Sequence, residues 1–200
     1  TCGTSMVTFD GYDYATVEIG SQFWFAENLR STKYNDDVAI LSVSDAVAWS
    51  MTEEAAMTIY DHGGANEATN LEDYGRLYNW FAVNTGKLCP SGWHVPTDEE
   101  WTTLTDGLGA ENAGAQMKSS EVDTPAWNGS NSSGFSALPG GYRENGEGSF
   151  LGGGDYGGWW SSTPIGSDEA YLRAVGTAWE VVSRSPWAQM DGFSIRCLQD

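Results

Sequence analysis

The stretch Pro96-Thr97-Asp98-Glu99-Glu100-Trp101 carries the clearest local signal in the chain. Thr97 is a helix N-cap, and Glu100 three residues later completes a capping box, each side chain meeting a backbone N–H that the first turn leaves unpaired. Asp98, Glu99 and Glu100 fill that turn, where the positive end of the helix dipole favours carboxylates. Trp101, Leu104 and Leu108 then form an apolar stripe, and Gly109 ends the helix. The reading is a helix beginning near Asp98 with the Trp101 indole facing a core.

Outward from this helix the signals are short. Tyr12–Ile19 is rich in β-branched and aromatic residues and reads as a strand ending at Gly20; Gln22–Phe25 reads as a second, with Ser21 at the turn. Asn35-Asp36-Asp37 is another turn. Ser44-Asp45 caps a segment over 46–51 anchored by Trp49, and Thr52-Glu53-Glu54 reads as a helical turn. Residues 61–70 are polar and Gly-bearing, hence a loop. In 74–83, Leu77, Trp80, Phe81 and Asn84 fall three and four apart, and the stretch reads equally as a short buried helix or a strand. From Gly114 onward the chain reads as loops and short strands, three of them after Trp159-Trp160-Ser161-Ser162. No linker composition and no repeat divides the chain, so one domain over 1–200 is expected. No apolar run approaches the roughly 18 residues of a membrane helix.

Composition narrows the function classes. A net charge of −19 with only nine Lys and Arg disfavours nucleic acid and anionic membranes as partners. The charge reads as a solubility device of an exported, monomeric protein, with an acidic patch for a cationic partner or for calcium as the alternative. Asp36-Asp37, Glu72-Asp73 and Asp98-Glu99 offer calcium oxygens without EF-hand spacing, so calcium is the one cofactor left open. Two histidines, His62 and His94, cannot build a three-His site. His94 reads as a packed structural side chain and His62 as a loop residue. No Gly-x-Ser-x-Gly elbow surrounds a serine, and Gly152-Gly153-Gly154 lacks the Lys of a phosphate cradle. A glycosidase carboxylate pair is not excluded by counting. The cysteines are Cys2, Cys89 and Cys197, with no Cys-x-x-Cys. A bridge between the last two would close a long loop, worth about 4–5 kcal/mol in the chain-entropy description.

Ten Trp and 25 Gly point to a loop-rich protein held by large flat side chains. Trp24, Trp80, Trp93, Trp101, Trp127 and Trp159 or Trp160 sit in apolar surroundings and read as core. Trp179 and Trp187 lie among Gly, Ala, Ser, Pro and Gln; they read as binding anchors, with packing as the competing role.

These motifs occur together in a known order. Residues 17–29 (Val-Glu-Ile-Gly-Ser-Gln-Phe-Trp-Phe-Ala-Glu-Asn-Leu), 74–80 (Tyr-Gly-Arg-Leu-Tyr-Asn-Trp), 89–101 (Cys-Pro-Ser-Gly-Trp-His-Val-Pro-Thr-Asp-Glu-Glu-Trp), 134–143 (Gly-Phe-Ser-Ala-Leu-Pro-Gly-Gly-Tyr-Arg), 159–162 (Trp-Trp-Ser-Ser) and 192–197 (Gly-Phe-Ser-Ile-Arg-Cys) resemble the Fibrobacter succinogenes major paralogous domain family. The resemblance covers nearly the whole chain. It implies an α+β unit of the C-type-lectin-like kind, related to the formylglycine-generating enzyme group, loop-rich with short strands and two or three helices. It also implies an exported or cell-surface bacterial protein, with similarity to variable proteins of diversity-generating retroelements, whose varied residues lie in the last stretch. A Cys89–Cys197 disulfide follows, both cysteines standing in framework motifs. Many members carry a Cys where this chain has Phe23, so Cys2 is expected to be unpaired or to mark a lipid or tether. Formylglycine-generating enzymes use a close pair of cysteines near the C-terminus; Cys197 stands alone, so the enzymatic carry-over fails and no catalytic residue is expected.

The resemblance also sorts the last segment. Ala170, Arg173, Val175, Val182, Arg184 and 192–197 look like framework. Between them Tyr171, Ala174, Gly176, Ala178, Trp179, Val181, Ser183, Ser185, Trp187, Ala188, Met190 and Asp191 look free. The expectation is a ligand surface within about 160–191, on strands showing one face to the core and one outward. Its ligand would be a protein or a surface group, carbohydrate included. The competing class is a structural surface or adhesin subunit with no small ligand.

Overall fold

The computed structural model describes residues 6–200, so Cys2 and the expectation attached to it lie outside the described residues. The elements run β1 (Met6–Phe9), β2 (Tyr12–Ile19), β3 (Gln22–Phe25), β4 (Leu41–Ser42), α1 (Ala46–Ser50), β5 (Ala56–Ile59), α2 (Glu67–Tyr74), β6 (Arg76–Tyr78), α3 (Trp80–Asn84), β7 (Trp93–His94), α4 (Asp98–Leu108), α5 (Ala113–Met117), β8 (Gly140–Arg143), β9 (Phe150–Gly153), β10 (Tyr156–Ile165), β11 (Glu169–Gly176), β12 (Ser183–Ala188) and β13 (Leu198–Gln199). The chain is mixed α and β, mostly strand with few helices. Its sheets are ordered β1-β2-β3-β13-β7, β12-β11-β10-β8-β9 and β4-β5-β6. Among the described residues no helix is long and apolar enough to cross a membrane.

The second sheet partitions the interior, because successive side chains of a strand point to opposite faces. Trp160, Leu172 and Ala174 face one core, with Tyr14, Phe25, Trp80 and Phe193. Trp159 and Val175 face another, with Trp24, Trp101, Leu104 and Phe135. Helix α4 covers that second core. Its Thr97 capping box is complete, Gly109 is its C-cap, and Trp101 and Leu104 are buried. Leu108 is half-buried. The Cys89–Cys197 disulfide is present and lies in the first core. Next to it, Arg196 is wholly buried. It donates to the carbonyls of Phe25 (3.0 Å), Phe135 (2.6 Å) and Ser136 (2.9 Å) and to Asn28 Oδ1 (2.7 Å). Burial pulls its pKa down to about 9. Gly141 shows why the Gly-Gly pair of 140–141 is needed: φ is +65°, and a Cβ would stand 2.5 Å from the Leu151 carbonyl oxygen.

The structure departs from the sequence reading where tertiary contacts overrule local pattern. Thr52–Glu54 is not helical. Asn79 donates to the Glu54 carbonyl (2.7 Å) and accepts from the Ala56 N–H (2.9 Å), which draws that stretch out into β5. The expected 61–70 loop ends in α2, a helix that buries no residue and so carries no apolar stripe to read. The 74–83 stretch is both alternatives in succession, β6 then α3. Helix α5 falls where only loops and strands were expected. It is held by contact with a distant segment, the Ala115 N–H donating to the Glu180 carbonyl at 3.0 Å. The helices beyond the expected two or three are single turns: α1, α3 and α5 have five residues each.

Candidate binding surface

Strand β12 is the edge of the second sheet and pairs only with β11, with Ala170 opposite Trp187, Tyr171 opposite Pro186, Leu172 opposite Ser185, Arg173 opposite Arg184 and Ala174 opposite Ser183. Directly opposed residues share a face. One face therefore carries Tyr171, Arg173 and Arg184, and it meets α4. Arg173 donates to Asp98 Oδ1 (2.6 Å) and Thr102 Oγ1 (2.8 Å), and Arg184 to Asp98 Oδ2 (2.8 Å) while lying 3.7 Å over the Tyr171 ring. Burial would raise the Asp98 pKa, but the two guanidinium groups hold it below the usual range. The other face carries Ala170, Leu172 and Ala174 and packs on the first core, with Trp187 at its margin.

This corrects the expectation of one face in and one face out. Both faces of β11 are covered, and what remains for a ligand is the β12 edge with the loops on either side. Of the predicted positions, Ala174, Gly176 and Asp191 are buried. Ala174 belongs to the first core, and Gly176 is the seat of the Trp179 indole, 3.0 Å from where a Cβ would stand. Tyr171 lies half-buried under Arg184, and Ser183, Ser185, Trp187, Ala188 and Met190 are half-buried. Ala178, Trp179 and Val181 are exposed, Trp179 by 40%. The 177–182 loop that carries them is braced by α5: a Cβ on Gly114 would stand 2.5 Å from the Val181 carbonyl oxygen.

At this edge four strands and loops bring aromatic rings together. Trp179 meets Tyr156 edge-on at 5.9 Å, Tyr156 meets Tyr142 at 5.6 Å, and Tyr142 meets Trp187 at 5.1 Å. Phe193 backs Tyr142 and Trp187 from the core at 5.2 and 5.1 Å. Tyr142, Trp187 and Leu151 form the apolar wall of an open concavity of about 550 Å³, whose polar wall is Glu144, Asn145, Glu147 and Asp191. A second hollow of about 400 Å³ shares Asn145 and is lined by Ala188 and Met190, with Glu53 and Asp168. Asp191 is only 4% exposed, and its Oδ1 accepts from the Asn145 N–H at 2.8 Å. Burial, with the Glu144 charge nearby, pushes its pKa up to about 6 against the Asn145 hydrogen bond. Glu144 is partly desolvated too, but the N–H groups of Gly146 (2.6 Å), Glu147 (2.8 Å) and Ser149 (3.1 Å) hold it below the usual carboxylate range.

Tyr142, Glu144 and Asn145 are lining residues that the sequence reading did not assign to the surface. Tyr142 stood in plain view in the 134–143 motif, but nothing local places β8 near β12. The other candidates lie elsewhere. His94 is half-exposed between Asp200 (2.7 Å) and Glu100 (3.1 Å); burial opposes its charge, yet the two carboxylates raise its pKa. His62 stands 3.3 Å from Thr58 Oγ1 and 3.6 Å from Glu67. Of the carboxylates proposed for calcium, Asp36 pairs with Lys87 at 2.7 Å and Asp98 with the two arginines. Among the described residues no three His, Cys, Asp or Glu side chains converge as a metal site.

The family model of the Fibrobacter succinogenes major domain matches residues 17–199. No curated protein and no solved structure matches the chain.

Proposed function

The chain belongs to the Fibrobacter succinogenes major domain family, and on that premise we propose that it is an exported bacterial ligand-binding domain of C-type-lectin-like arrangement. Its binding surface is the β12 edge with the 177–182 and 188–191 loops. The observation that carries this reading is the aromatic row Trp179–Tyr156–Tyr142–Trp187 beside an open concavity. Large rings left half-covered at a sheet edge contribute less to the fold than rings in a core, and they offer contact area at low entropy cost. The exposed Val181 and Ala178 in the same loop are residues that packing does not dictate. That freedom suits a retroelement-diversified receptor, in which the surface changes while the scaffold stays. The reading as a structural subunit without a ligand gives the concavity no task.

Glycan and peptide arrays probed with the wild-type chain and with Trp179→Ala test this. The expected result is a set of ligands held by the wild type and lost by the variant at an unchanged melting temperature. An array without hits, or hits indifferent to Trp179 and Trp187, would overturn it. A reverse transcriptase gene and a near-copy of the last segment beside this gene would support diversification.

A further inference from the structure

We infer that the concavity between β8 and β12 takes the basic side chain of a peptide ligand, a guanidinium or ammonium group seated on Tyr142 and Trp187 and neutralised by Asp191 and Glu144. This rests on the binding-domain reading and names the ligand's chemistry. The first support is charge. The lining holds Glu144, Glu147 and Asp191 and no Lys or Arg.

The second support is that the chain has no cation of its own to spare. Arg30 pairs with Glu27, Lys33 with Asp10, Lys87 with Asp36, and Arg173 and Arg184 share Asp98. Arg76 donates to the Arg30 carbonyl, and Lys118 to the carbonyls of Gly176, Thr177 and Trp179. Arg143 follows Tyr142 on β8, but its guanidinium turns the other way, to the carbonyls of Val43, Ser44 and Gly148. Arg196 is enclosed by carbonyls and Asn28. These are all nine Lys and Arg of the sequence. A buried carboxylate without a counter-charge is costly, and a ligand cation removes that cost.

The third support is the aromatic wall. Tyr142 and Trp187 meet edge-on at 73°, which gives a bound cation a ring face on one side while carboxylates face it from the other. A neutral sugar would use the rings but bring no counter-charge to Asp191 and Glu144. The adjoining hollow shares Asn145 and adds Glu53 and Asp168, likewise with no Lys or Arg.

The test is tryptophan fluorescence and calorimetric titration with the peptide acetyl-Gly-Arg-Gly-Arg-Gly-amide, its citrulline counterpart, and methyl glycosides. The arginine peptide is expected to bind and the citrulline peptide to bind about tenfold more weakly, the scale of a cation contact with ring and carboxylate. Asp191→Asn, which keeps the Oδ1 acceptor used by the Asn145 N–H, should weaken the arginine peptide by a similar factor at an unchanged melting temperature or a higher one. Glu144→Gln, which replaces one of the two oxygens that accept from Gly146, Glu147 and Ser149, should weaken it too, with some loss of melting temperature. Equal binding of both peptides overturns the inference. So does glycoside binding unaffected by Asp191→Asn, which leaves the binding-domain reading standing. Silence of all three probes, with array ligands still dependent on Trp179, also overturns the inference alone; arrays without hits overturn the reading and the inference with it.

Discussion

Trp159 and Trp187 belong to the same sheet, and their surroundings differ. Trp159 is wholly buried, its indole N–H donates to Asn28 Oδ1 at 2.8 Å, and Phe135 meets it edge-on at 5.6 Å. Trp187, on the edge strand, is half-buried, and its N–H reaches only the neighbouring Ser185 hydroxyl at 3.0 Å. In the interior each large group has its partners in distant parts of the chain, so its identity is dictated by the fold. At the edge the indole N–H has only a local partner and part of the ring stays uncovered, so identity is freer to follow a ligand. The buried cation Arg196 and the buried anion Asp191 repeat the contrast. Arg196 is surrounded by acceptors, whereas Asp191 has the Asn145 N–H and a neighbouring like charge.

The contrast breaks first at Trp159. Trp159→Ala should lower stability by about 3–5 kcal/mol, as a large truncation in a closed core does; an unchanged denaturation midpoint would remove the distinction. Arg196→Met should cost about 3 kcal/mol, because the carbonyls of Phe25, Phe135 and Ser136 lose their donor together. Chemical denaturation reads both.

Asp191 sharpens the comparison through pH. Burial lifts its pKa from 3.8 to about 6. The folded chain therefore keeps a proton over a range where the unfolded chain has lost it, and this group's contribution falls as pH rises from about 4 to about 6. Asp191→Asn should match the wild type near pH 4 and exceed it well above pH 6 by roughly 3 kcal/mol. Asp98, Glu100 and His94 titrate alike in both proteins and cancel in the difference. A variant less stable than the wild type at pH 8 would contradict the account.

Smaller effects follow at the edge. Trp187→Ala should cost about 1–2 kcal/mol, because its ring packs on Tyr142 and Phe193. Half-burial makes it part anchor and part core, the two roles that compete in the sequence reading. Trp179→Ala should cost under about 1 kcal/mol while weakening an array-identified ligand by roughly 2 kcal/mol. A large stability loss would make Trp179 a packing residue.

The parts legible in the sequence are those whose cause is local or repeated in a family motif. The α4 capping box, β2 and β3, and the Trp101 stripe needed only neighbours within a few residues. The Cys89–Cys197 bridge was legible through the motifs that hold each cysteine. The concavity was not. Trp187 and Asp191 were singled out as free, but their partners Tyr142, Glu144 and Asn145 come from β8 and the turn after it, and Asp191 is buried by that contact. The sorting of β11 into framework (Ala170, Arg173, Val175) and free positions (Tyr171, Ala174) did not follow its faces, because Ala170 and Ala174 share one and Tyr171 and Arg173 the other. It could not reveal that α4 covers one face and a second core the other. The sheet interior thus took away positions such as Ala174, and the edge supplied others that no pattern in the last segment announces.

The most direct test of the claim that the edge binds while the interior only folds is hydroxyl-radical footprinting with and without a saturating array-identified ligand. The account predicts protection at Tyr142, Trp179 and Trp187, with the exposed Val47, Met51 and Val122 unchanged. Protection confined to Val47, Met51 or Val122, with the edge rings oxidised as before, would contradict it.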